Sequence, residues 1–472
     1  MPKPGCEIGV IGLGTMGRNL ALNFADHGFP VAVYNRTAAK AREFMAQEVG
    51  PRDIRPGFEL KEFVGFLRRP RALLIMVAAG EAVDTVIREL FPLLAHGDLL
   101  IDGGNSHFID TSRRARALAA KGIWFMGLGV SGGEAGARYG PSLMPGCARE
   151  AYDRVAPMLE AAAGQVDDDP CVAYLGPGSA GHYVKMVHNG IEYGLIQLIA
   201  ETYDLMTRGL GLTSEELHGV FAAWNDTELN SFLVEITARI FLKKDDKTGK
   251  PLVDLIRDEA RQKGTGMWTS WEAMDLQVGT PTIDLAVVMR DLSGYKAERQ
   301  AAAQVLKGPE ITFSGDRARF LDKLQNALYA GMIATYAQGL ALLKKASATY
   351  DYGLDLETVA RIWRGGCIIR AALLEEIRAA FRARPDLNNL LLDPKLAREF
   401  LARQRDLRDV VTVAAELGLP APGLMMTLAY FDAYRSARLP ANLIQAQRDY
   451  FGAHTYERLD GPGAFHAQWD QD

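Results

Sequence analysis

The stretch "EIGVIGLGTMG", Glu7 to Gly17, constrains this chain more than any other. A short apolar run enters Gly12-Leu13-Gly14-Thr15-Met16-Gly17 and leaves through the helical pattern "GRNLALNFADHG". A GxGxxG match is weak alone in a chain with 47 glycines. Its place between a strand and a helix makes it specific. Gly12 permits the tight turn, Gly14 lets the backbone approach a pyrophosphate, and Gly17 lets helix and strand pack closely. The helix N-terminus adds amide donors and a positive dipole for phosphate. Further strand patterns follow in "PVAVYN", "ALLIMVA", "DLLIDGG" and "IWFMGLGV", separated by helical or loop segments. That rhythm predicts a parallel, doubly wound sheet.

The residues at the end of the second strand choose the cofactor. An NAD site carries an acid there for the ribose 2′-hydroxyl. Here the chain reads Asn35-Arg36-Thr37. No carboxylate repels a 2′-phosphate, and Arg36 can pair with it and stack on adenine. The expectation is NADP. "GNSHF" and "LGVSGGEAG" end later strands, where such sheets bind ligands.

From about Ala180 the strand signal fades and long helical patterns take over. The fold class expected is α/β plus all-α: a Rossmann-like, NADP-binding domain over 1–179, a large duplicated all-helical domain over 180–437, and a C-terminal tail over 438–472. The duplication is read from Val184–Leu205 and Leu321–Leu342. These align at constant offset, matching Asn189 with Asn326, Gly194 with Gly331 and Ile196 with Ile333. The tail shows little helical periodicity and reads as a segment needing another surface to order it.

The first copy carries a polar stripe. Lys185, His188, Asn189 and Glu192 stand at i, i+3, i+4 and i+7, on one face of a helix. The second copy has Asp322, Gln325, Asn326 and Tyr329 there, so only one copy keeps Lys, His and Glu.

Composition narrows the function class. Net charge is −5, so no global basic field serves nucleic acid or an anionic membrane. No run approaches the ~18 apolar residues of a membrane span, and the N-terminus lacks a signal-peptide layout. Cys6, Cys147, Cys171 and Cys367 lie far apart and read as buried thiols of a cytoplasmic protein, with no metal site. "KKDDKTGK", Lys243–Lys250, reads as a solvated turn.

The motifs "GLGTMGRNLALN", "NRT", "DGGNS", "GVSGGEAGARYGPSLMPG", "GHYVKMVHNGIEYG", "QKGTG", "WRGGCIIR" and "QAQRDYFGAHTYE" together resemble the 6-phosphogluconate dehydrogenase family, nearly end to end. The resemblance implies an NADP-dependent decarboxylating enzyme of the pentose phosphate pathway and gluconate utilization. It also implies a homodimer whose tail reaches the partner's site. By position, it implies Lys185 as general base and Glu192 as general acid. Asn105, Ser131, Gly132, Gly133, His188 and Asn189 are then ligands of the sugar acid. Tyr193, Lys263 and Arg290 are contacts at its phosphate end, and Arg448 and His454 reach the phosphate of the other subunit's site. Gly12, Gly14, Met16, Gly17, Asn35, Arg36, Thr37 and Val77 are implied cofactor contacts. Without the resemblance, Lys263, Arg290 and Arg448 read as solvated charges.

Four positions depart from that family's usual pattern: Ala78 for a lysine, Ala135 for an acid, Leu195 for an Asp and Met267 for a second Lys. None carries assigned chemistry. The rival enzyme classes, 3-hydroxyacid dehydrogenases and imine reductases, share the cofactor half and its following lysine helix. They generally lack the second helical copy and the tail. A silent NADP-binding or scaffold protein is the other rival, disfavoured by intact Lys185 and Glu192.

A free lysine titrates near ~10.4, so a lysine base needs burial or nearby positive charge to be neutral at working pH. The expected chemistry is removal of a hydroxyl proton by Lys185, loss of the carboxylate from the resulting 3-keto acid, and protonation of the enediol at C1 by Glu192. The order of proton steps comes from the resemblance.

Overall fold

The structure, a computed structural model, describes residues 5–470. The first four residues of the expected cofactor domain and the last two of the expected tail lie outside the described residues. The chain divides into two compact units, Met1–Thr427 and Leu428–Asp472.

The first unit begins with alternating strands and helices: β1 (Ile8–Ile11), α1 (Thr15–Asp26), β2 (Val31–Tyr34), α2 (Ala38–Gln47), β3 (Ile54–Gly57), α3 (Leu60–Gly65), β4 (Ala72–Ile75), α4 (Glu81–Leu90), β5 (Leu99–Asp102), α5 (Phe108–Ala119), β6 (Trp124–Ser131), α6 (Gly133–Tyr139), β7 (Ser142–Gly146) and α7 (Arg149–Ala162). The sheet order is β3-β2-β1-β4-β5-β6-β7. Chain order reverses between β1 and β4, which makes a crevice at their C-terminal ends. Side chains on alternate positions feed two separate cores. Ile8, Val10, Leu74 and Ile101 enter one, whereas Ile11, Leu73, Ile75 and Leu100 enter the other. Continuous apolar strands follow from burial on both faces.

The sheet departs from expectation in two places. β7 runs antiparallel to β6, with Ser131 opposite Ser142 and Gly127 opposite Gly146, so the sheet is not wholly parallel. Its sequence, "SLMPG", is buried throughout and offers no alternation to mark a strand. β3, "IRPG", is an edge strand, where Pro56 is tolerated, and its sequence has no apolar run to betray it.

The helical part starts with α8 (Ala180–Asp204), which ends in a single π-turn at Leu205–Gly209. There follow α9 (Ser214–Asn225), α10 (Phe232–Leu242), α11 (Thr265–Asp275), α12 (Pro281–Ser293), α13 (Lys296–Val305), α14 (Arg317–Thr349), α15 (Leu356–Ile362), α16 (Leu373–Ala383), α17 (Pro394–Glu416) and α18 (Pro422–Tyr434). α9 has a capping box, Thr213 with Glu216.

Packing supports the duplication. α8 and α14 cross through paired glycines: a Cβ on Gly194 would lie 2.6 Å from Thr335 Cγ2, and one on Gly331 would lie 2.8 Å from Leu198 Cδ1. Thr335 aligns with Leu198 at the offset that aligns Gly331 with Gly194, so the contact is its own mirror. α11 and α17 end alike. Val278 N–H bonds Ala273 O and Leu419 N–H bonds Ala414 O, with Gln277 and Gly418 left-handed at φ 57° and 64°. Each is followed by a helix beginning with proline, Pro281 or Pro422. The copies also interlock. Glu201 of α8 accepts the amides of Gly423 and Leu424 at the start of α18, at 2.7 and 2.9 Å. Gln338, its aligned partner on α14, accepts the Thr282 amide at the start of α12, at 3.0 Å.

The second unit holds a correction. Ala441–Gly452 is a helix, α19, followed by a two-strand hairpin of Tyr456–Glu457 and Ala464–Phe465. Leu443, Ile444 and Phe451 on this helix are 61%, 60% and 73% exposed. Asp449 is the unit's buried centre, accepting from Thr455 N, Ala467 N and Trp469 Nε1 at 2.9, 3.1 and 2.8 Å.

Among the described residues, no helix is long and apolar enough to cross a membrane.

Candidate active site

α8 lies against β6 because β6 is nearly bare there. A Cβ on Gly129 would sit 2.5 Å from Lys185 Cβ, and one on Gly127 would sit 2.8 Å from His182 Nδ1. Gly127 and Gly129 share one face of the strand, and His182 and Lys185 share one face of the helix. The strand therefore determines how deeply Lys185 sits.

Lys185 is 6% exposed and His188 is fully buried. Lys185 Nζ lies 3.4 Å from His188 Nδ1, which lies 2.9 Å from Asn189 Oδ1. An amide oxygen only accepts, so Nδ1 carries the imidazole proton. Nε2 is then an acceptor, and the Ser131 hydroxyl and the Cys367 thiol reach it at 3.1 and 3.2 Å. Burial holds His188 well below its ordinary pKa, with Lys185 adding to the effect, and pushes Cys367 up to about 12. The imidazole is thus neutral and the thiol protonated, as the hydrogen bonds require. Trp363 meets the ring edge-on at 5.7 Å.

Burial lowers the pKa of Lys185, opposed by Glu192. Burial raises that of Glu192, opposed by Lys185 and Arg290. Desolvation penalises both charged forms, so each is moved toward its neutral state. Glu192 lies seven residues along α8, ~10 Å of helix rise from Lys185. Such a pair suits a neutral amine that takes a proton and a neutral carboxylic acid that gives one.

The other expected substrate residues occupy varied settings. Asn105 is exposed on the loop after β5, and Gly132 and Gly133 have φ of 110° and 62° in the turn after Ser131. Tyr193 is buried with the Arg290 guanidinium 3.3 Å from its ring centroid. Lys263 is exposed just before α11. Arg448 and His454 lie exposed on the second unit, with Arg448 donating to Gln445 Oε1 at 3.1 Å and His454 edge-on to Phe451.

Five of the expected cofactor residues converge at the switch point. Gly12, Asn35, Arg36, Thr37 and Val77 line a cleft of about 430 Å³, with Lys40, Ala78, Glu81 and Glu89. Gly12 has φ 98°, and a Cβ there would be 2.4 Å from Met76 O. A Cβ on Gly17 would be 1.9 Å from Gly12 O, so the turn cannot close without glycine. Gly14 caps α1 with nothing within 4 Å of its Cβ position, an open cradle for a pyrophosphate. Met16 packs partly buried against the core. Asn35 Oδ1 accepts the Leu13 amide at 3.0 Å, clipping the glycine turn to β2. These residues fit a dinucleotide carrying a 2′-phosphate, with the cations Arg36 and Lys40 on one wall.

The four departures carry no polar contact in the site. Ala78 lines the cofactor cleft, Ala135 is exposed on α6, Leu195 is buried beside Tyr336 and Ile369, and Met267 packs on Tyr193. Among the described residues, no group of three or more His, Cys, Asp or Glu side chains converges as metal ligands. All four cysteines are free and buried.

Sequence reasoning missed several members of the site. From sequence, Cys367 reads only as one of four buried thiols, and the glycine face of β6 carries no signal. Asp102, at the end of β5, holds the Gly104 amide at 3.1 Å and the Ser106 hydroxyl at 2.6 Å, flanking Asn105 on both sides. Its carbonyl accepts from His182 Nε2 at 3.0 Å. An Asp at the C-terminal end of a buried strand was the available signal.

Comparison with known proteins agrees with this geometry. Residues 7–176 match the family model "NAD binding domain of 6-phosphogluconate dehydrogenase", and 181–469 match "6-phosphogluconate dehydrogenase, C-terminal domain". The decarboxylating 6-phosphogluconate dehydrogenase of Synechococcus elongatus is 58% identical over 467 residues, covering 98% of this chain and 99% of that protein. The NADP(+)-dependent, decarboxylating enzyme of Bacillus subtilis is 52% identical over 464 residues, covering 98% and 99%. The structure of Plasmodium falciparum 6-phosphogluconate dehydrogenase, described as apo, with NADP+ and with 6-phosphogluconate, superposes with TM-score 0.95 at 44% identity, covering 98% of this chain and 100% of that one. The dinucleotide sheet, the doubled helical layer and the lysine face of α8 thus belong to a member of the 6-phosphogluconate dehydrogenase family.

Proposed function

We infer that this chain oxidatively decarboxylates 6-phospho-D-gluconate to D-ribulose 5-phosphate and CO2, with NADP as the cofactor. The observation that carries this reading is Lys185, buried against β6 with Glu192 two turns along the same helix. NADP supplies the acceptor for the hydride from C3, and the glycine turn, Asn35, Arg36, Thr37, Met16 and Val77 hold it.

Lys185 in its neutral form takes the C3 hydroxyl proton. Protonated, it sits beside the ketone oxygen of the 3-keto acid and stabilises the charge that develops there as CO2 leaves. Glu192, whose pKa is raised by burial, gives its proton to C1 of the enediol. His188 stays neutral and, with Asn189, Ser131, Gly132, Gly133 and Asn105, binds the hydroxyls and carboxylate. Tyr193, Arg290 and Lys263 take the phosphate end.

The chain is organised as a cofactor domain over 1–179, a helical domain over 180–437 and a tail over 438–472. It works as a cytoplasmic homodimer whose tail reaches the partner's site, where Arg448 and His454 meet the phosphate. The exposed apolar residues of α19 support such an exchange.

Purified protein given 6-phosphogluconate and NADP produces reduced-nicotinamide absorbance and an equal amount of CO2. No turnover, or preference for NAD or for unphosphorylated gluconate, overturns the reading.

A further inference from the structure

Arg114 sits on α5 and lines neither the cofactor cleft nor the Lys185 face, yet its side chain is 2% exposed and every one of its donors is used. Nε and one terminal nitrogen grip Asp84 of α4 in a two-point contact, both at 2.9 Å. The same terminal nitrogen donates to Gly80 O at 2.9 Å. The other terminal nitrogen reaches Asp102 Oδ2 at 3.4 Å and Ser106 Oγ at 3.3 Å. A guanidinium has five N–H groups, and five acceptors are present.

Apart from the two Asp84 oxygens on α4, these acceptors border two loops with different tasks. Gly80 caps α4 and ends the segment after β4 whose Val77 and Ala78 line the cofactor cleft. Asp102 and Ser106 bracket Asn105 in the loop after β5. Only a planar, forked cation can satisfy both loops together, and a lysine has neither the reach nor the number of donors. The Asp84 carboxyl is held down to about 2, chiefly by its hydrogen bond from Arg114, so that ion pair is intact at working pH.

We propose that Arg114 is a positioning residue that sets the cofactor loop 77–80 and the substrate loop 103–106 with one side chain. The proposal rests on the functional reading above. It separates Arg114 from its neighbour Arg113, which binds Asp84 and Asp110 from the half-open side and touches neither loop.

The test is steady-state kinetics with NADP and 6-phosphogluconate on four variants, each checked for folding by thermal melting. Arg114→Lys raises the KM of both by about tenfold, the scale of a lost hydrogen bond to a charged group. Asp84→Asn raises chiefly the KM for NADP. Ser106→Ala raises chiefly that for the sugar acid, each by a few-fold. Arg113→Lys leaves both unchanged. A folded Arg114→Lys enzyme with both constants within about twofold of wild type, or with a lowered melting temperature and unchanged constants, overturns the proposal. If Arg114→Lys does not fold, the two loop variants decide: selective effects support the proposal, and equal or absent effects overturn it. A wild-type enzyme inactive on this pair sinks the functional reading instead.

Discussion

α8 and α14 are two versions of one helix, and their difference separates what packing needs from what chemistry needs. Both keep a glycine at the crossing, Gly194 and Gly331, and both carry a polar side chain that caps a helix of the opposite copy, Glu201 and Gln338. On α8 the polar stripe lies under β6, where Lys185 and His188 are buried. On α14 the aligned region serves structure. Lys323 pairs with Asp409 at 2.6 Å, Asn326 donates to Asp406 at 2.7 Å, and Tyr329 lies under Arg403 at 4.8 Å. The copies share a scaffold, and only the one beside the dinucleotide sheet has a buried lysine with a glutamate two turns along.

The largest expected effect is on the lysine. Lys185→Met lowers kcat by about 10³-fold or more, in the range of a lost general base, while the melting temperature holds or rises because a buried amine is gone. Asp322→Met, at the aligned position, leaves turnover unchanged. Turnover near wild type in the first variant breaks the comparison.

Glu192→Gln comes next, with a loss of about 10²-fold. Lys185 must be neutral, so activity falls as pH drops through its lowered pKa. Glu192 must be protonated, so activity falls as pH rises through its raised pKa. The Gln variant therefore loses the alkaline limb and keeps the acid limb. Retention of both limbs assigns the alkaline one elsewhere.

The crossing glycines give a stability effect shared by both copies. Gly194→Ala and Gly331→Ala each cost about 1–3 kcal/mol in denaturant unfolding, with Gly331 the milder because a leucine tip can yield. A large cost at one site and none at the other denies the mirrored crossing.

The smallest effect sharpens the capping pair. Burial pushes the Glu201 carboxyl up to about 7, above the ~4.3 of an unfolded chain. The folded state holds that proton more tightly. The stability it contributes is complete below about pH 4 and is lost as pH rises through about 7. Glu201→Gln, which copies position 338, removes this dependence but turns one of the two amide acceptors into a donor, and so costs about 1 kcal/mol at low pH. A wild-type stability curve flat across that window contradicts the assignment.

Much of this architecture was legible from local signals. The glycine turn, the strand runs and the long helices have strong periodicity, and α8 begins at Ala180 as read. β7 and α19 were misread because their burial is not patterned along the chain: one is buried on every residue and the other presents its apolar side outward. The stripe Lys185-His188-Asn189-Glu192 was visible from helical spacing. Two residues packed on it were not, since Cys367 and Gly129 come from distant segments brought together only by folding. Hydrogen-bond exchange between a neutral imidazole and a thiol leaves no spacing to read.

Everything distinctive about α8 depends on Lys185 being easier to deprotonate than an ordinary lysine. An NMR titration of the labelled Lys185 side chain in the folded enzyme, assigned by comparison with Lys185→Met, measures this directly. A midpoint clearly below the ~10.4 of free lysine is the predicted result. A midpoint at or above that value contradicts the account.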